Sequence, residues 1–128
     1  MFAKRKVIYD TQHFIDIAKN CAMKSNMSHK HGCVIVYRNT VLSSGYNYYI
    51  NFANKYSVHA ELDAIHKVKN KYKVLPHCEL YVVRISNLSN NSELKCSKPC
   101  EMCSNIIKKY NIKEVYYSMW NTLNSLIF

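Results

Sequence analysis

Hydrophobic residues recur at helical spacing near the start of the chain and at strand spacing soon after it. Apolar side chains repeat every three or four positions from Thr11 to about Ser25, which predicts a first amphipathic helix. Two strand-like runs, 33–37 and 41–45, flank the turn Arg38-Asn39 and predict a hairpin. A loop rich in Tyr and Asn is predicted from Tyr46 to Ser57.

Helices and strands alternate in the second half of the chain. The same patterns predict helices from His59 to about Asn70 and from Cys100 to Tyr110, and strands from Glu79 to Ile85 and from Glu114 to Ser118. The apolar strand runs suit a sheet that helices cover on both faces. The sequence therefore predicts an α/β fold with three layers, α/β/α, and its 128 residues fit one domain over 1–128.

The chain shows no pattern typical of a membrane segment or a secretory leader. No run of about 18 apolar residues is present, so we expect no contact with the membrane interior. The cationic start Lys4-Arg5-Lys6 is followed closely by Asp10, which leaves no apolar core for a signal peptide. We expect an intracellular protein, where cysteines bind metal or stay as buried thiols. Cys21 and Cys33 are predicted to be packed thiols of this kind.

A formal net charge of +10 is large for this length and attracts partners that carry phosphate. The densest basic run is Lys67, Lys69, Lys71 and Lys73. A solvated helix end and a phosphate-binding track are equally good interpretations of this run. Charge alone therefore leaves the partner open.

Two short motifs carry the chemistry of the chain. His59-Ala60-Glu61 comes first, and Pro99-Cys100-Glu101-Met102-Cys103 follows. A catalytic zinc has three protein ligands and a fourth position for water, and His59, Cys100 and Cys103 meet that requirement. Both sulfurs of a C-x-x-C pair fit the first turn of a helix, where the helix dipole favours thiolates. Glu61 is then left as a carboxylate that binds no metal and transfers protons between water and substrate.

A structural zinc site is the alternative interpretation of the same cysteines. Cys96 or His77 would then supply a fourth ligand and close the site. The motif favours the open site, because structural sites more often present paired C-x2-4-C or H-x3-5-H elements. The remaining histidines are interpreted as surface or capping residues and not as metal ligands: His13, His29, His31 and His66.

The two motifs together match the H-x-E…P-C-x-x-C pattern of zinc deaminases. On these residues the chain resembles the cytidine and deoxycytidylate deaminase superfamily, from about Thr11 to Ser118. The resemblance implies a central mixed sheet in which the second and third helices present the Zn²⁺ ligands from their N-terminal ends. It also implies a hydrolase that converts a cytosine-type base to uracil and releases ammonia.

The same resemblance implies three substrate contacts. Asn47, in Gly45-Tyr46-Asn47, matches the residue that hydrogen-bonds the substrate. The backbone N–H of Ala60 matches the group that contacts the base carbonyl, and the backbone carbonyl of Lys98 matches the acceptor of the leaving amine. The chain departs from the family pattern between the third predicted strand and Pro99, because the polar connector Ser86 to Lys98 is inserted there.

The substrate class is nearly balanced between two alternatives. The short tail after Ser118 resembles that of small nucleoside deaminases and favours cytidine, deoxycytidine or their monophosphates, although those enzymes usually carry Cys where this chain has His59. The positive charge favours single-stranded nucleic acid or tRNA. A third hypothesis, a non-catalytic zinc-stabilised module that binds nucleic acid, is disfavoured by Glu61, since a structural zinc needs no such carboxylate. The resemblance is also compatible with a homo-oligomer.

Overall fold

The computed structural model describes residues 2–50, 56–86, 94–119 and 122–127. The helices within these ranges are α1 (Phe2–Ala22), α2 (Ala60–His66), α3 (Lys71–Val74) and α4 (Glu101–Lys109), and a single 3-10 turn spans Leu75–His77. The strands are β1 (Lys30–Tyr37), β2 (Thr40–Tyr46), β3 (Tyr48–Tyr49), β4 (Ser57–Val58), β5 (Cys78–Ile85), β6 (Leu94–Lys95), β7 (Glu114–Met119) and β8 (Thr122–Ile127). Among these residues, no helix is both long and apolar enough to cross a membrane.

The main sheet is mixed, as the resemblance implied. Its strands lie in the order β2-β1-β5-β7-β8, and β6 pairs with the end of β5. β5 and β7 run parallel, and the other neighbouring pairs run antiparallel. Parallel neighbours need a crossover connection, and α4 lies in the connection between β5 and β7. Strands β3 and β4 form a separate two-stranded ribbon.

The three predicted layers are confirmed by the alternation of side chains along β1. Cys33 and Ile35 pack into a core with α2 and α4, whereas Val34 and Val36 pack into a second core with α1. Because side chains of a strand point alternately to the two faces, the continuous apolar run of β1 serves both cores. The sheet is therefore covered by α1 on one face and by α2 and α4 on the other.

The turn that joins β1 and β2 lies at the predicted dipeptide. Arg38 and Asn39 have φ angles of 48° and 63°, both positive. A two-residue hairpin with both φ angles positive has the twist that matches the flanking strands. Strands β1 and β2 pair from Gly32 opposite Tyr46 to Tyr37 opposite Thr40.

Some predicted boundaries are wrong by several residues. Helix α1 begins at Phe2 and not near Thr11, since its first half contains no Gly or Pro to interrupt it. The predicted helix from His59 to about Asn70 is shorter, and a separate helix, α3, begins at Lys71, beyond the predicted end. α2 ends at His66, and Asn70 has a left-handed conformation with φ 55° that separates α2 from α3.

Two predicted loops are described only in part. The predicted loop Tyr46–Ser57 contains β3 and the first residue of β4, and its residues 51–55 lie outside the described residues. The predicted connector Ser86–Lys98 contains β6, and its residues 87–93 lie outside them. The short tail folds back, because β8 pairs antiparallel with β7.

Helix α2 lies very close to β2, and the contact is made at Gly45. A Cβ atom at this position would lie 2.6 Å from the backbone nitrogen of Ala64 and 2.8 Å from the backbone oxygen of Ala60. Real Cβ atoms essentially never approach other atoms this closely, so any larger residue must push the helix away from the strand. Gly45 therefore sets the position of α2 on the sheet.

We expect Gly45→Ala to destabilise the protein by about 3 kcal/mol, the upper end of the usual cost of overpacking, because the clash is with backbone atoms. Urea unfolding of the purified variant measures this loss. Leu42→Ala is the control, since Leu42 lies on the same strand and is exposed, and surface substitutions usually change stability by less than about 0.5 kcal/mol. Equal stability of Gly45→Ala and the unmodified chain would contradict the close packing.

Candidate metal centre and substrate pocket

The two zinc-type motifs lie where α2 and α4 begin. His59 is the N-cap residue of α2, and Cys100 is the N-cap residue of α4; both have extended backbone conformations. Neither side chain caps its own helix with a hydrogen bond. N-cap side chains commonly turn back to the helix N–H groups. Here both side chains are turned towards each other instead.

Three potential ligand atoms meet at this point. His59 Nδ1 lies 3.4 Å from Cys103 Sγ and 3.7 Å from Cys100 Sγ. The three atoms all lie within 4.8 Å of one another. A tetrahedral zinc with ordinary Zn–N and Zn–S bonds separates its nitrogen and sulfur ligands by about 3.5 Å. The spacing and the donor set of one imidazole and two thiols therefore fit Zn²⁺.

The protein environment alone does not favour ionised thiols here. Burial raises the pKa of the Cys103 thiol well above its usual range, and the nearby Glu61 and Cys100 act in the same direction. A coordinated metal ion reverses this, because a coordinating thiol loses its proton outright. A divalent ion held by these residues would therefore stabilise the thiolate form of Cys103.

Glu61 lies in the first turn of α2, two residues after His59, and does not belong to the three-residue cluster found among the described residues. Its side chain is only 5% exposed. Burial raises the pKa of the Glu61 carboxyl to about 7, partly opposed by a backbone hydrogen bond. A carboxyl group with a pKa near neutrality can both accept and return a proton.

A cavity of about 240 Å³ opens next to the cluster. Six of the seven predicted site residues line it: His59, Ala60, Glu61, Asn47, Lys98 and Cys100. The seventh, Cys103, is buried. The cavity also has lining residues that the sequence did not single out: Met27, His29, His31, Ser57 and Ser97. His29 is exposed, in keeping with its interpretation as a surface residue, whereas His31 is half-buried in the cavity wall.

The proposed fourth ligands lie elsewhere. Cys96 is half-buried and is not part of the cluster formed by the described residues. His77 lines a different cavity, beside Arg38 and Lys113. The described part of the chain therefore gives no protein ligand for a closed, four-ligand site.

Asn47 is buried in the cavity wall with its amide hydrogen-bonded to the start of β1. The backbone N–H of His31 donates to Asn47 Oδ1 at 2.9 Å, and Asn47 Nδ2 donates to the backbone oxygen of His29 at 2.6 Å. The backbone N–H of Asn47 also donates to the backbone oxygen of His31 at 3.3 Å. Asn47 thus extends the hydrogen bonding between β1 and β2 beyond the ends of the strand pairing.

Helix α2 is also tied to β2 by polar groups. Asp63 Oδ2 accepts from the backbone N–H of Tyr46 at 3.2 Å and from Lys67 Nζ at 3.2 Å. Lys67 Nζ also donates to the backbone oxygen of Ser44 at 2.9 Å. Because Asn47 directly follows Tyr46, these bonds hold it at a set position relative to Glu61.

Ser97 holds the segment that leads into the second motif. Its Oγ donates to the backbone oxygen of Val82 at 2.8 Å and accepts from the backbone N–H of Ser118 at 2.8 Å. The backbone N–H of Ser97 donates to the backbone oxygen of Ser118 at 2.9 Å. The inserted connector therefore returns to a position set by β5 and β7 immediately before Lys98 and Pro99. Its composition, which is mostly polar, gave no signal for this buried serine.

Two comparisons with known sequences agree with this site. Residues 8–119 match the family model described as the cytidine and deoxycytidylate deaminase zinc-binding region. The chain is also 32% identical over 122 residues to the tRNA-specific adenosine deaminase subunit tad2 of Schizosaccharomyces pombe. That match covers 90% of this chain but only 28% of the length of the yeast protein.

Solved structures share the fold. The dCMP deaminase of the cyanophage S-TIM5 superposes with a TM-score of 0.65 at 22% identity, covering 84% of this chain and 81% of the phage protein. The cytidine deaminase of Burkholderia pseudomallei superposes with a TM-score of 0.69 at 17% identity, covering 91% of each chain. The sequence match over residues 8–119, on the same architecture and with the zinc-type cluster in place, shows that the chain belongs to the cytidine and deoxycytidylate deaminase family.

Proposed function

We propose that the chain is a Zn²⁺-dependent hydrolase that converts the cytosine-type base of a free nucleoside or nucleotide to uracil and releases ammonia. One observation carries the proposal. A buried carboxyl group, Glu61, shares a cavity with a cluster of three ligand atoms that fits zinc. A structural zinc site has no use for such a carboxyl, whereas hydrolytic deamination needs a proton carrier.

The proposed roles follow from the positions of the side chains. His59, Cys100 and Cys103 hold the metal. Zn²⁺ bound there acts as a Lewis acid that makes water nucleophilic near neutral pH. Glu61 takes a proton from the attacking water and passes protons to the ring nitrogen and the departing amine, so that water is consumed and ammonia leaves. Burial of Glu61 keeps this proton from exchanging freely with solvent.

Backbone groups would orient the base. Ala60 is the first residue of α2, and the N–H groups of a first helical turn have no partner within the helix. Its N–H can therefore contact the base carbonyl. The carbonyl of Lys98, which precedes Pro99 in the cavity wall, can receive the leaving amine. Both groups belong to the backbone, so they are present whatever side chains stand at these positions.

The substrate preference rests on the cavity and on the lysines. A cavity of about 240 Å³ suits one base with part of its sugar. The side-chain amines of two lysines in the predicted basic run form hydrogen bonds within the protein. Lys67 Nζ binds Asp63 and Ser44, and Lys71 Nζ donates to the backbone oxygen of Val68 at 2.9 Å.

A polynucleotide substrate is the second candidate. The match to a subunit of a tRNA-specific adenosine deaminase covers 90% of this chain and favours it. In that case the base would be adenine or cytosine within a single-stranded region of RNA. The net charge of +10 is compatible with such a substrate.

The first prediction concerns the metal. Purified protein should contain about one zinc per chain, and Cys100→Ser and Cys103→Ser should lose most of it, because each removes a ligand. Cys96→Ser is the matched control and should keep its zinc, since Cys96 lies outside the cluster. Elemental analysis of the four proteins measures this, and loss of zinc from Cys96→Ser would show that the site is closed.

The second prediction concerns the proton carrier. Glu61→Gln should retain zinc while turnover falls by about 10²–10⁴, the usual contribution of general acid–base catalysis. The assay incubates zinc-loaded protein with cytidine, deoxycytidine, their monophosphates, single-stranded DNA, RNA and tRNA, and detects deaminated cytosine or adenine by mass.

Glu101→Gln is the control for Glu61→Gln, because Glu101 is an exposed carboxylate in the first turn of α4. It should remain as active as the unmodified protein. If Glu61→Gln is equally active, the proton carrier is another group. If it loses zinc, Glu61 is a ligand and the proposed mechanism is wrong.

The third prediction separates the two substrate classes. We expect oligonucleotides to bind no tighter than about 10⁻⁴–10⁻⁶ M near physiological salt, the usual range of non-specific binding. A polynucleotide enzyme would bind more tightly, with log K falling by about 0.7 for each phosphate that it neutralises on a single strand. Affinity across a salt series measures both quantities.

Lysine variants identify where any such binding occurs. Lys69 and Lys73 are exposed, and their side-chain amines make no hydrogen bond to the residues that the structure describes. Their replacement by alanine should therefore reduce the salt slope if they contact phosphates. Lys113→Ala is the control, because Lys113 is exposed and lies outside the basic run, between α4 and β7. A sub-micromolar complex that weakens on loss of Lys69 and Lys73 would overturn the preference for a small substrate.

A further inference from the structure

The side chain of Asn47 has little hydrogen-bonding capacity left for a substrate. An asparagine amide offers two N–H donors and two acceptor lone pairs. Oδ1 already accepts from the His31 backbone, and Nδ2 already donates to the backbone oxygen of His29. Nδ2 also lies 3.4 Å from His31 Nδ1, which is no hydrogen bond when Nδ1 itself carries the proton, so one hydrogen of Nδ2 remains unused. With 6% of its surface exposed, Asn47 is built to hold the start of β1.

The imidazole of His31 lies in the same wall and has a free ring nitrogen. His31 lines the cavity, and its Nδ1 lies 3.3 Å from the backbone oxygen of His29. Its Nε2 makes no hydrogen bond to the residues that the structure describes. A ring that donates from Nδ1 to a carbonyl and carries no charge presents Nε2 as an acceptor.

The ring is held in its neutral form by its surroundings. Burial lowers the pKa of His31 to about 4, and the positive charge of Arg84 acts in the same direction. The hydrogen bond to the backbone oxygen of His29 opposes them and is the weaker effect. Near neutral pH the cavity therefore contains an uncharged acceptor at this position.

A nucleoside offers few hydrogen-bond donors that Nε2 of His31 could bind. Cytosine carries its N–H donors on the exocyclic amine, and so does adenine. That amine is the group that leaves, so it must lie at the metal cluster and Glu61. His31 is on β1 and is not part of the cluster, which is formed by residues of α2 and α4. The donors that remain on a nucleoside or nucleotide are the hydroxyl groups of the sugar.

We propose that His31 binds a sugar hydroxyl of the substrate through Nε2, and that Asn47 is a positioning residue that holds His31 in place. This inference rests on the proposed function only in requiring a substrate with a sugar. It applies equally to a cytosine and to an adenine nucleotide, and to a free and a polymeric one.

The test compares His31→Phe with the unmodified zinc-loaded protein on sugar analogues. Phe keeps a planar ring and removes the acceptor. For a substrate with the contacted hydroxyl, kcat/KM should fall about 3–10-fold, the effect of one hydrogen bond, and mostly through a higher KM. For the analogue that lacks that hydroxyl, either 2′-deoxy or 3′-deoxy, the two proteins should be equal.

Two further variants separate a substrate contact from a structural role. His31→Gln, which restores an acceptor, should recover part of the loss. His13→Phe is the control, because His13 is exposed on α1, outside the cavity. A loss of the same size on every sugar analogue, or no loss on any, would overturn the proposal. If His31→Phe fails to fold or to hold zinc, His31→Leu, which also lacks the acceptor, allows the same comparison between analogues.

A binding measurement distinguishes failure of this inference from failure of the proposed function. Equilibrium binding of uridine, 2′-deoxyuridine and 3′-deoxyuridine to the zinc-loaded protein requires no turnover. If no substrate is deaminated but His31→Phe weakens binding of only those ligands that carry one particular hydroxyl, the proposed function is wrong and the sugar contact stands. If deamination occurs and no sugar dependence is seen, the proposed function stands and the role of His31 is refuted.

Discussion

The site depends on one geometric constraint, that two helices from distant parts of the chain begin side by side. His59 and Cys103 are 44 residues apart in sequence, yet His59 Nδ1 lies 3.4 Å from Cys103 Sγ. Gly45 allows α2 to rest directly on β2, and Ser97 fixes the chain before α4 against β5 and β7. A shift of either helix by about 1 Å would spoil a tetrahedral site, whose bond lengths vary by only about 0.2 Å.

Elements and ligands were predictable because their signals are local. The apolar runs of β1 and β5 and the C-x-x-C spacing of Cys100 and Cys103 each lie within a few residues, so they predicted the layers and the metal cluster. The end of α2 at His66 was predicted about four residues too late, because the helical pattern continues to Asn70, whose left-handed conformation precedes α3. The place of His29 and His31 beside Asn47 was not predicted, for a different reason. It is set by hydrogen bonds between their backbones and Asn47, 16 to 18 residues away, and no periodicity indicates such contacts.

Some of the positively charged side chains form hydrogen bonds within the protein. Three lysine amines are bound by backbone oxygens: Lys30 by Ser25, Lys67 by Ser44 and Lys71 by Val68. An ammonium group bound to a carbonyl still contributes to the field around the protein, but it must give up that bond to reach a phosphate. Net charge is thus a weak guide to the substrate here. The cavity wall, in which Asn47 and His31 lie together with His59 and Cys100, gives a sharper description of what the site is built to hold.

X-ray absorption at the zinc edge of the purified protein tests the central claim most directly, because it counts the ligands of the bound metal. The account predicts two sulfur ligands at about 2.3 Å and two lighter ligands near 2.0 Å, one from His59 and one from solvent. Replacement of Cys96 by serine should leave this spectrum unchanged. A third sulfur ligand, lost in that variant, would mean a closed structural site and would contradict the assignment of a hydrolytic centre.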